Sequence, residues 1–323
     1  MNWIKSKISK FVEIAKNKII KKRANNIEAS ESLWISCPGC NEMQLKTDLK
    51  EKLNICKCSH HFDLDPKMRF KKSFFDNGEF ELIECPAFAD PDPLNFEVNG
   101  KKFVDKYKAY QKKTGQQSAI LIAEGKVNGL NVIAAGYNFA FGGAAMTLRE
   151  SEHLLTAMQT AIDKKVDAFV SFYQSGGMNV TGNLFSLGKG MPAIMMATKI
   201  LKDAGIVTVG VLGSKTTGGS FCNVFGNDFL FAENKSTNNL LFAGRRVSAS
   251  INAGQEIPND FGESLSLENH GMIDGVLNSR LEAKSKISTL IKVVLKKAEI
   301  QANTDTSNVT TLDRSLQKTS KAL

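Results

Sequence analysis

Pairs of glycines that follow apolar runs are the residues of this sequence best suited to chemistry. The central pair, Gly176 and Gly177, comes shortly after an apolar run at residues 168–173, which is typical of a buried strand. Because glycine lacks a Cβ atom, the chain can turn sharply there and bring backbone N–H groups close to a ligand. If a helix begins at about Met178, its first N–H groups lack intrahelical partners and can bind an oxyanion on a reacting carbonyl or ureido group.

Two further glycine pairs have the same setting, and they favour a ligand site over a simple turn. The pairs are Gly142-Gly143 and Gly218-Gly219. The first follows residues 137–141, three of which are aromatic, and the second comes after an apolar run at 206–212. A single glycine pair is more often a tight turn without a ligand, because short motifs have many false matches. Three such units close together instead predict one site lined by backbone amides.

Charged side chains near these turns have less specific interpretations. Arg246 stands beside a second arginine in a predicted turn at 242–247. Either guanidinium could hold an anionic cofactor group, although a surface ion pair explains the two arginines equally well. His153 lies on a predicted helix, where a packed or surface histidine is more common than a catalytic base.

Clustered cysteines predict a structural zinc site. Four of the six cysteines lie near one another in the sequence: Cys37, Cys40, Cys56 and Cys58. Without a predicted secretion signal, such a cluster favours metal binding in a reducing compartment over disulfides. Four thiolates would close a tetrahedral site and leave no open position for chemistry. The second pair is one residue shorter than the usual spacing, so His60 or His61 could replace Cys58 as the fourth ligand.

The N-terminal residues carry most of the net charge of +9. Residues 1–26 contain eight Lys or Arg and one Glu, with apolar residues at helical spacing between them. This basic arm is predicted to pack on the rest of the chain or on a partner, while binding to phosphates or to a membrane surface stays possible. No apolar run reaches the about 18 residues of a membrane span, and we expect a cytoplasmic protein.

The remaining pattern predicts an α/β protein with parallel strands. Asn128-Gly129 between two apolar runs indicates a β-hairpin, and Thr147 followed by Glu150 forms a capping box that begins a helix. Strands and helices then alternate. The predicted organisation is a basic arm at 1–30, a zinc ribbon at 31–62, a main domain at 63–300 and a disordered polar tail at 301–323.

The order and spacing of several motifs resemble one known family. They are Leu33-Trp34, Cys37-Pro-x-Cys40, Cys56-Lys-Cys-x-His-His61, Tyr107-Lys, Thr114-Gly115, Asn138-Phe-Ala-Phe141, Ser175-Gly-Gly177, Thr216-Thr-Gly-Gly219, Phe242-Ala-Gly-x-Arg246-Val and Gly271-x-Ile-Asp274. Together they are similar to the β subunit of the acetyl-CoA carboxylase carboxyltransferase of bacteria and plastids. The resemblance runs from the N-terminus to about residue 297.

This resemblance implies a fold, a reaction and partners. The fold would be a zinc ribbon followed by a crotonase-like domain of repeated ββα units. The reaction would transfer a carboxyl group from carboxybiotin, held on a biotin carrier protein, to acetyl-CoA, giving malonyl-CoA for fatty acid synthesis. The partners would be a carboxyltransferase α subunit in an α₂β₂ assembly, with biotin carboxylase in the full complex. ATP and nucleotide binding are further implied properties.

The resemblance also implies roles for the glycine pairs. Gly176 and Gly177 would hold the oxyanion of the thioester, while the matching site for biotin would come mainly from the partner subunit. Gly218 and Gly219 would begin a helix that borders the pocket. The pair at 142–143 and Arg246 would contribute to substrate binding.

Departures from the family pattern fall near this predicted site. The family usually continues Ser-Gly-Gly with Ala-Arg-Met, whereas this chain has Met178, Asn179 and Val180. Residues 142–150 lack several of the usual glycines, and residues 213–215 differ from the usual Thr-Asp-Pro. The chain is therefore expected to be either a divergent active subunit or a scaffold that assembles without turnover. A nucleic-acid-binding protein that uses the arm and the ribbon is a third, less favoured, interpretation.

Overall fold

The structure of the protein, a computed structural model, describes residues 33–233, 239–251 and 256–296. The predicted basic arm at 1–30 and the predicted polar tail at 301–323 lie outside the described residues. Within the described ranges, no helix is both long enough and apolar enough to cross a bilayer.

Strands and helices alternate along most of the chain, as expected for an α/β protein. The strands are β1 (Trp34–Ser36), β2 (Met43–Leu45), β3 (Phe80–Leu82), β4 (Glu97–Val98), β5 (Lys101–Lys102), β6 (Ile120–Val127), β7 (Leu130–Tyr137), β8 (Ala168–Ser175), β9 (Val207–Thr217), β10 (Phe229–Glu233), β11 (Asn239–Leu241) and β12 (Gly275–Leu277). The helices are α1 (Lys46–Glu51), α2 (Pro66–Arg69), α3 (Phe103–Thr114), α4 (Leu148–Lys164), α5 (Asn183–Phe185), α6 (Met191–Asp203), α7 (Gly218–Val224), α8 (Arg245–Ile251), α9 (Ser264–Asn269) and α10 (Arg280–Val294). The order strand–strand–helix occurs for β4–β5–α3, β6–β7–α4 and β10–β11–α8.

One mixed sheet of eight strands forms the centre of the main domain. Its order is β12-β10-β9-β8-β7-β6-β3, and β11 pairs with the end of β9. The run from β7 to β12 is parallel, while β6 and β3 are antiparallel to their neighbours. The carboxyl ends of β7, β8 and β9 therefore meet at one edge, where open α/β sheets commonly bind ligands.

The hairpin predicted from Asn128-Gly129 is confirmed between β6 and β7. Both turn residues have left-handed backbone angles, with φ of 47° and 81°, which asparagine and glycine adopt most readily. Their N–H groups donate to the Asp76 carboxylate at 2.9 and 3.1 Å. This carboxylate fixes the turn and with it the register of the two strands.

Side chains of β8 alternate between two hydrophobic cores, as the apolar run predicts. Phe169 and Tyr173 belong to the core that includes α4 and α6. Val170 and Phe172 belong to the other core, which includes Phe70 and helix α10. Each fully buried large apolar side chain stabilises the fold by about 1.5–3 kcal/mol, so both faces hold β8 in place.

The capping box predicted at Thr147 and Glu150 is also confirmed, and it begins α4 directly after the first glycine turn. The Thr147 hydroxyl accepts from the Arg149 N–H at 3.1 Å, and Glu150 accepts from the Thr147 N–H at 2.8 Å. These two bonds satisfy N–H groups that the helix itself leaves unpaired.

A buried ion cluster lies on the side of the sheet opposite α4. The Glu233 carboxylate, at the end of β10, receives Arg69 at 2.6 Å and Arg280 at 2.9 Å. All three side chains are almost completely buried. Burial by itself raises the pKa of Glu233, but the two guanidinium groups hold that pKa well below its usual range.

The same cluster attaches the cysteine-containing segment to the main domain. The Arg280 guanidinium donates to the Leu53 carbonyl and, at 2.6 Å, to the Phe62 carbonyl. His61 is buried beside it, with Nδ1 3.8 Å from the Glu233 carboxylate. The segment at residues 33–62 is therefore joined to the body through hydrogen bonds from one arginine.

Candidate active site and metal centre

The three glycine pairs predicted from the sequence meet at one edge of the sheet. Gly142-Gly143 follows β7, Gly176-Gly177 follows β8, and Gly218-Gly219 begins α7 after β9. The first two turns are joined by a hydrogen bond from the Gly176 N–H to the Gly143 carbonyl, at 2.8 Å. The third touches the second, since a Cβ atom built on Gly218 would lie 3.1 Å from the Gly177 Cα.

A helix beginning at about Met178, the condition on which free N–H groups at this turn depended, is absent. Met178 instead forms a parallel bridge with Met146. The Met146 N–H donates to the Gly177 carbonyl at 2.9 Å, and the Asn179 N–H donates to the Met146 carbonyl at 2.7 Å. Helical residues return only at Asn183. The chain after the glycine pair is thus extended because it pairs with the segment that precedes α4.

The amides of the central pair already have partners within the chain. The Gly176 N–H donates to the Gly143 carbonyl, and the Gly177 N–H donates to the Ser175 hydroxyl at 3.0 Å. The expectation of two unpaired donors at this turn is therefore not met in this arrangement. Sequence analysis missed these acceptors because Gly143 is distant in sequence and Ser175 has no distinctive spacing.

Close approach of the main chains explains why Gly177 and Gly218 lack side chains. Gly177 has a φ of 110°, which residues with a side chain rarely adopt. A Cβ atom at Gly177 would lie 3.1 Å from both the Gly218 Cα and the Thr217 carbonyl oxygen. Gly176 differs, since its Cβ atom would meet only the Gly143 carbonyl oxygen, at an ordinary 3.4 Å.

Helix α3 covers the first glycine turn. A Cβ atom on Gly142 would lie 2.5 Å from the Tyr110 ring, so only glycine fits beneath this helix. The Tyr107 hydroxyl of the same helix donates to the buried Glu150 carboxylate at 2.5 Å. Glu150 therefore holds α3 over the turn as well as capping α4, a role that the capping box alone does not reveal.

A cleft of about 430 Å³ lies at the junction with the cysteine-containing segment, next to the end of β8 and the residues that follow β7. Asn138, Phe139 and Gln174 line it from the sheet. The Lys215 ammonium lies 4.7 Å from the centre of the Phe139 ring and 3.6 Å from the Asp63 carboxylate. Asn138 and Phe139 belong to a motif of the family resemblance, but sequence analysis gave none of these side chains a role in the site.

Arg246 lies in the first turn of α8, whereas the sequence predicted that the turn at 242–247 would include it. The positions of its side chain and of its neighbour's lie outside the description. His153 is a packed histidine, as expected. Its ring contacts the Ser118 hydroxyl at 3.3 Å and the Ile83 carbonyl at 2.7 Å, and burial lowers its pKa.

The four clustered cysteines are brought together in a geometry that fits zinc. Their sulfur atoms all lie within 4.8 Å of one another. The sulfur atoms of Cys37 and Cys58 are 3.7 Å apart, and those of Cys40 and Cys56 are 3.8 Å apart. Tetrahedral zinc with bonds of about 2.3 Å to sulfur requires separations of about 3.8 Å. Burial raises the pKa of the Cys56 thiol to about 12, so a thiolate there needs a cation beside it.

The histidines proposed as alternative ligands are not part of this cluster. Among the described residues, the group that could hold a metal ion consists of the four cysteines. His61 instead faces Glu233 in the ion cluster. The shortened pair of Cys56 and Cys58 can still place both sulfur atoms in the cluster because the chain turns tightly there. The Ser59 N–H donates to the Cys56 carbonyl at 2.9 Å.

Comparison with protein families and curated proteins identifies relatives over nearly the whole chain. Residues 91–322 match the family described as carboxyl transferase domain. The acetyl-coenzyme A carboxylase carboxyl transferase subunit beta of Brucella abortus (strain 2308) is 34% identical over 307 residues, which cover 94% of this chain and 95% of the relative. The protein of the same name from Chelativorans sp. (strain BNC1) is 32% identical over 305 residues.

Solved structures with similar folds include chains of two enzyme assemblies. Transcarboxylase 12S, with hydrolysed methylmalonyl-coenzyme A bound, superposes with a TM-score of 0.56 at 19% identity over 71% of this chain. This chain corresponds to 41% of the length of that one. A Pseudomonas malonate decarboxylase hetero-tetramer in complex with malonate gives a TM-score of 0.54 at 15% identity, covering 73% of this chain and 82% of that chain. At such identities the likeness concerns the fold.

The implied ATP and nucleotide binding finds no support in these comparisons, whose shared feature is the carboxyl transferase domain. The glycine turns, the cluster of four cysteines and the relatives that match 94% of the chain all point to the same family. The chain belongs to the family of acetyl-coenzyme A carboxylase carboxyl transferase beta subunits.

Proposed function

We propose that this chain is the β subunit of an acetyl-CoA carboxylase and that it transfers a carboxyl group from carboxybiotin to acetyl-CoA, giving malonyl-CoA. The observation that carries this proposal is the convergence of three glycine turns at the carboxyl ends of β7, β8 and β9. This convergence occurs in a chain that belongs to the corresponding family over most of its length.

The reaction needs few catalytic side chains. Carboxybiotin releases CO₂ and is left with a negative charge on its ureido group. That anion takes the α-proton of the acetyl thioester, and the resulting enolate attacks CO₂ to form malonyl-CoA. Two oxyanions must be stabilised, and each hydrogen-bond donor aimed at one lowers the barrier by about 3 kcal/mol.

The thioester oxygen would lie against the turn at Gly176 and Gly177. To donate there, the Gly176 amide must leave the Gly143 carbonyl, and the Gly177 amide must share its N–H between the thioester oxygen and the Ser175 hydroxyl that holds the turn. A hydrogen bond to an anion is about twice as strong as a neutral one, which favours this exchange once charge develops. Of the glycines in the two neighbouring turns, Gly143 would leave the most space for the substrate, since a Cβ atom there would lie 4.0 Å from the Phe139 ring.

The proposed fold of the main domain is crotonase-like, and the proposed role of residues 33–62 is that of a structural zinc ribbon. Cys37, Cys40, Cys56 and Cys58 would hold zinc in a closed site that supports folding and does not take part in catalysis. The carboxyltransferase α subunit would complete the site for biotin in an α₂β₂ assembly, with biotin arriving on its carrier protein.

Turnover by the complex with the matching α subunit tests this proposal. We expect malonyl-CoA from acetyl-CoA and carboxylated carrier, slower turnover with propionyl-CoA, and none from either subunit alone. Replacement of Gly177 by Val should abolish turnover because its side chain would meet Gly218 and Thr217. A complex that assembles with wild-type protein but makes no malonyl-CoA would identify a scaffold and overturn the catalytic proposal.

A further inference from the structure

Ser175, the last residue of β8, has a buried hydroxyl that connects all three glycine turns. Its Oγ lies 2.7 Å from the Ala144 carbonyl oxygen and 3.0 Å from the Gly177 nitrogen. It also lies 3.0 Å from the hydroxyl of Ser220, which belongs to α7. Both serines have no exposed surface, so water cannot substitute for these contacts.

Counting protons fixes the direction of these hydrogen bonds. A serine hydroxyl has one proton to donate and two lone pairs that accept. A carbonyl can only accept, and the Ala144 carbonyl at 2.7 Å is much nearer than the Gly177 carbonyl at 3.4 Å, so Ser175 donates its proton to Ala144. The Gly177 N–H then donates to Ser175, and the Ser220 hydroxyl must be the donor at the contact between the two serines. The Ser220 hydroxyl also lies 3.4 Å from the Met146 sulfur, but a thioether sulfur is a weaker acceptor than the Ser175 hydroxyl oxygen.

These bonds tie together loops that are otherwise separate elements. The carbonyl of Ala144 belongs to the turn after β7, the N–H of Gly177 belongs to the turn after β8, and Ser220 lies in the first turn of α7. We propose that Ser175, assisted by Ser220, is a positioning residue that sets the relative placement of the three glycine turns. This inference rests on the proposed function, since it names the side chain that orients the proposed oxyanion turn.

Loss of the Ser175 hydroxyl and loss of the Ser220 hydroxyl should have different consequences. Replacement of Ser175 by Ala leaves the Ala144 carbonyl and the Gly177 N–H buried without their partner, which is the costly case for a polar group. Replacement of Ser220 by Ala removes one donor, and Ser175 keeps its bonds to Ala144 and Gly177. The geometry therefore predicts that Ser175→Ala affects the site more than Ser220→Ala.

The test compares three variants in the complex with the α subunit, well below the temperature of unfolding. We expect kcat to fall between about tenfold and a hundredfold in Ser175→Ala, with the KM for acetyl-CoA changed less than about twofold, because the hydroxyl positions the turn and does not contact the substrate. Ser220→Ala should lower kcat by less. The control is Ser73→Ala, a buried serine of the opposite core whose hydroxyl donates to the Arg69 carbonyl, and its kcat should stay at the wild-type value.

Hydrogen–deuterium exchange gives a readout that does not need turnover. Ser175→Ala should speed exchange of backbone amides at residues 142–146 and 176–179, whereas Ser73→Ala should leave these segments unchanged. Wild-type exchange in Ser175→Ala overturns the inference, as does a loss of kcat in Ser73→Ala equal to that in Ser175→Ala. An effect of Ser220→Ala as large as that of Ser175→Ala overturns it too. A wild-type complex without turnover refutes the proposed function, while the exchange comparison still decides the role of Ser175.

Discussion

At the scale of single residues, Gly142 shows how the site depends on the space that a missing side chain leaves. Its φ of 58° and that of Gly115, 69°, are both left-handed. A Cβ atom at Gly142 would meet the Tyr110 ring, whereas one at Gly115 would meet none of the described residues within 4 Å. A substitution at either position would therefore strain the backbone. Only a side chain at position 142 would also be crowded, by the Tyr110 ring.

Comparing Gly142→Ala with Gly115→Ala should separate these effects. We expect Gly115→Ala to lower the free energy of unfolding by about 1–2 kcal/mol from backbone strain alone. Gly142→Ala should lose about 1–3 kcal/mol more, because α3 must move away from the turn, and its turnover should fall as well. Urea unfolding and activity in the complex measure both. Equal losses in the two variants would show that the contact with Tyr110 is unimportant.

The glycine pairs illustrate what can be predicted at this scale. Their positions after apolar runs located the turns, because glycine tolerates φ values that other residues avoid. The acceptors of the Gly176 and Gly177 amides could not be predicted. They depend on where β7 and β8 lie side by side, and Ser175 has no sequence signal apart from its place before the pair.

At the scale of elements, we expect the segment at 33–62 to depend on a metal ion held by the cysteine cluster. Its strands β1 and β2 are three residues each, too short to form a stable unit alone. Two tight turns bring the four sulfur atoms together. Structural zinc sites in small units supply much of their folding free energy, so the metal should be as important here as the apolar contacts.

The purified chain should contain one zinc ion, and Cys56→Ser should lose it. The reason is that a hydroxyl is a poor ligand for zinc beside three thiolates. Metal analysis together with release of zinc to a chromogenic chelator measures the stoichiometry. The control is Cys85→Ser, a cysteine outside the cluster, which should keep the full metal content. Zinc retained in Cys56→Ser would point to a different ligand set.

Spacing in the sequence predicted the four ligands but left His60 and His61 as alternatives. Because the second pair is shortened, spacing alone could not decide between Cys58 and a histidine as the fourth ligand. A histidine close in sequence can reach the position of the Cys58 sulfur. The structure separates them because the buried Glu233, far along the chain, lies beside His61. Helices and the hairpin were easier to predict, since the capping box at Thr147 and the Asn128-Gly129 turn are local signals.

At the scale of the whole molecule, the ion cluster of Glu233, Arg69 and Arg280 joins elements from both ends of the described chain. No sequence pattern predicts it, because charged residues are usually exposed and these three are distant in sequence. We expect Glu233→Gln to lower the free energy of unfolding by about 3–5 kcal/mol, since two buried cations would lose their counter-charge. Thermal or urea unfolding measures the loss.

Glu124→Gln is the matched control for that substitution. Glu124 forms an ion pair with Lys164, whose side chain is 52% exposed. Solvent screens such a pair, and its loss should change the free energy of unfolding by less than about 1 kcal/mol. Similar losses in Glu233→Gln and Glu124→Gln would mean that the buried cluster contributes little to stability.

The buried His61 should make the protein sensitive to mild acid. Burial lowers the pKa of His61 to about 4 from its ordinary 6.5. As the pH falls through this window, the unfolded chain binds a proton that the folded chain does not, so stability present above pH 6.5 is progressively lost. His61→Leu should therefore flatten the dependence of the unfolding free energy on pH between about 6.5 and 4. Zinc content is measured at each pH, and an unchanged slope in His61→Leu would contradict this account.

The hydrogen bonds from Arg280 to the Leu53 and Phe62 carbonyls should couple the segment at 33–62 to the main domain during thermal unfolding. If the segment at 33–62 opened by itself, this arginine would keep its full charge with fewer acceptors inside the body. Unfolding of the segment at 33–62 therefore destabilises the main domain. The two should unfold in a single cooperative transition. Zinc bound by the four cysteines should then raise the melting temperature of the sheet that carries the glycine turns.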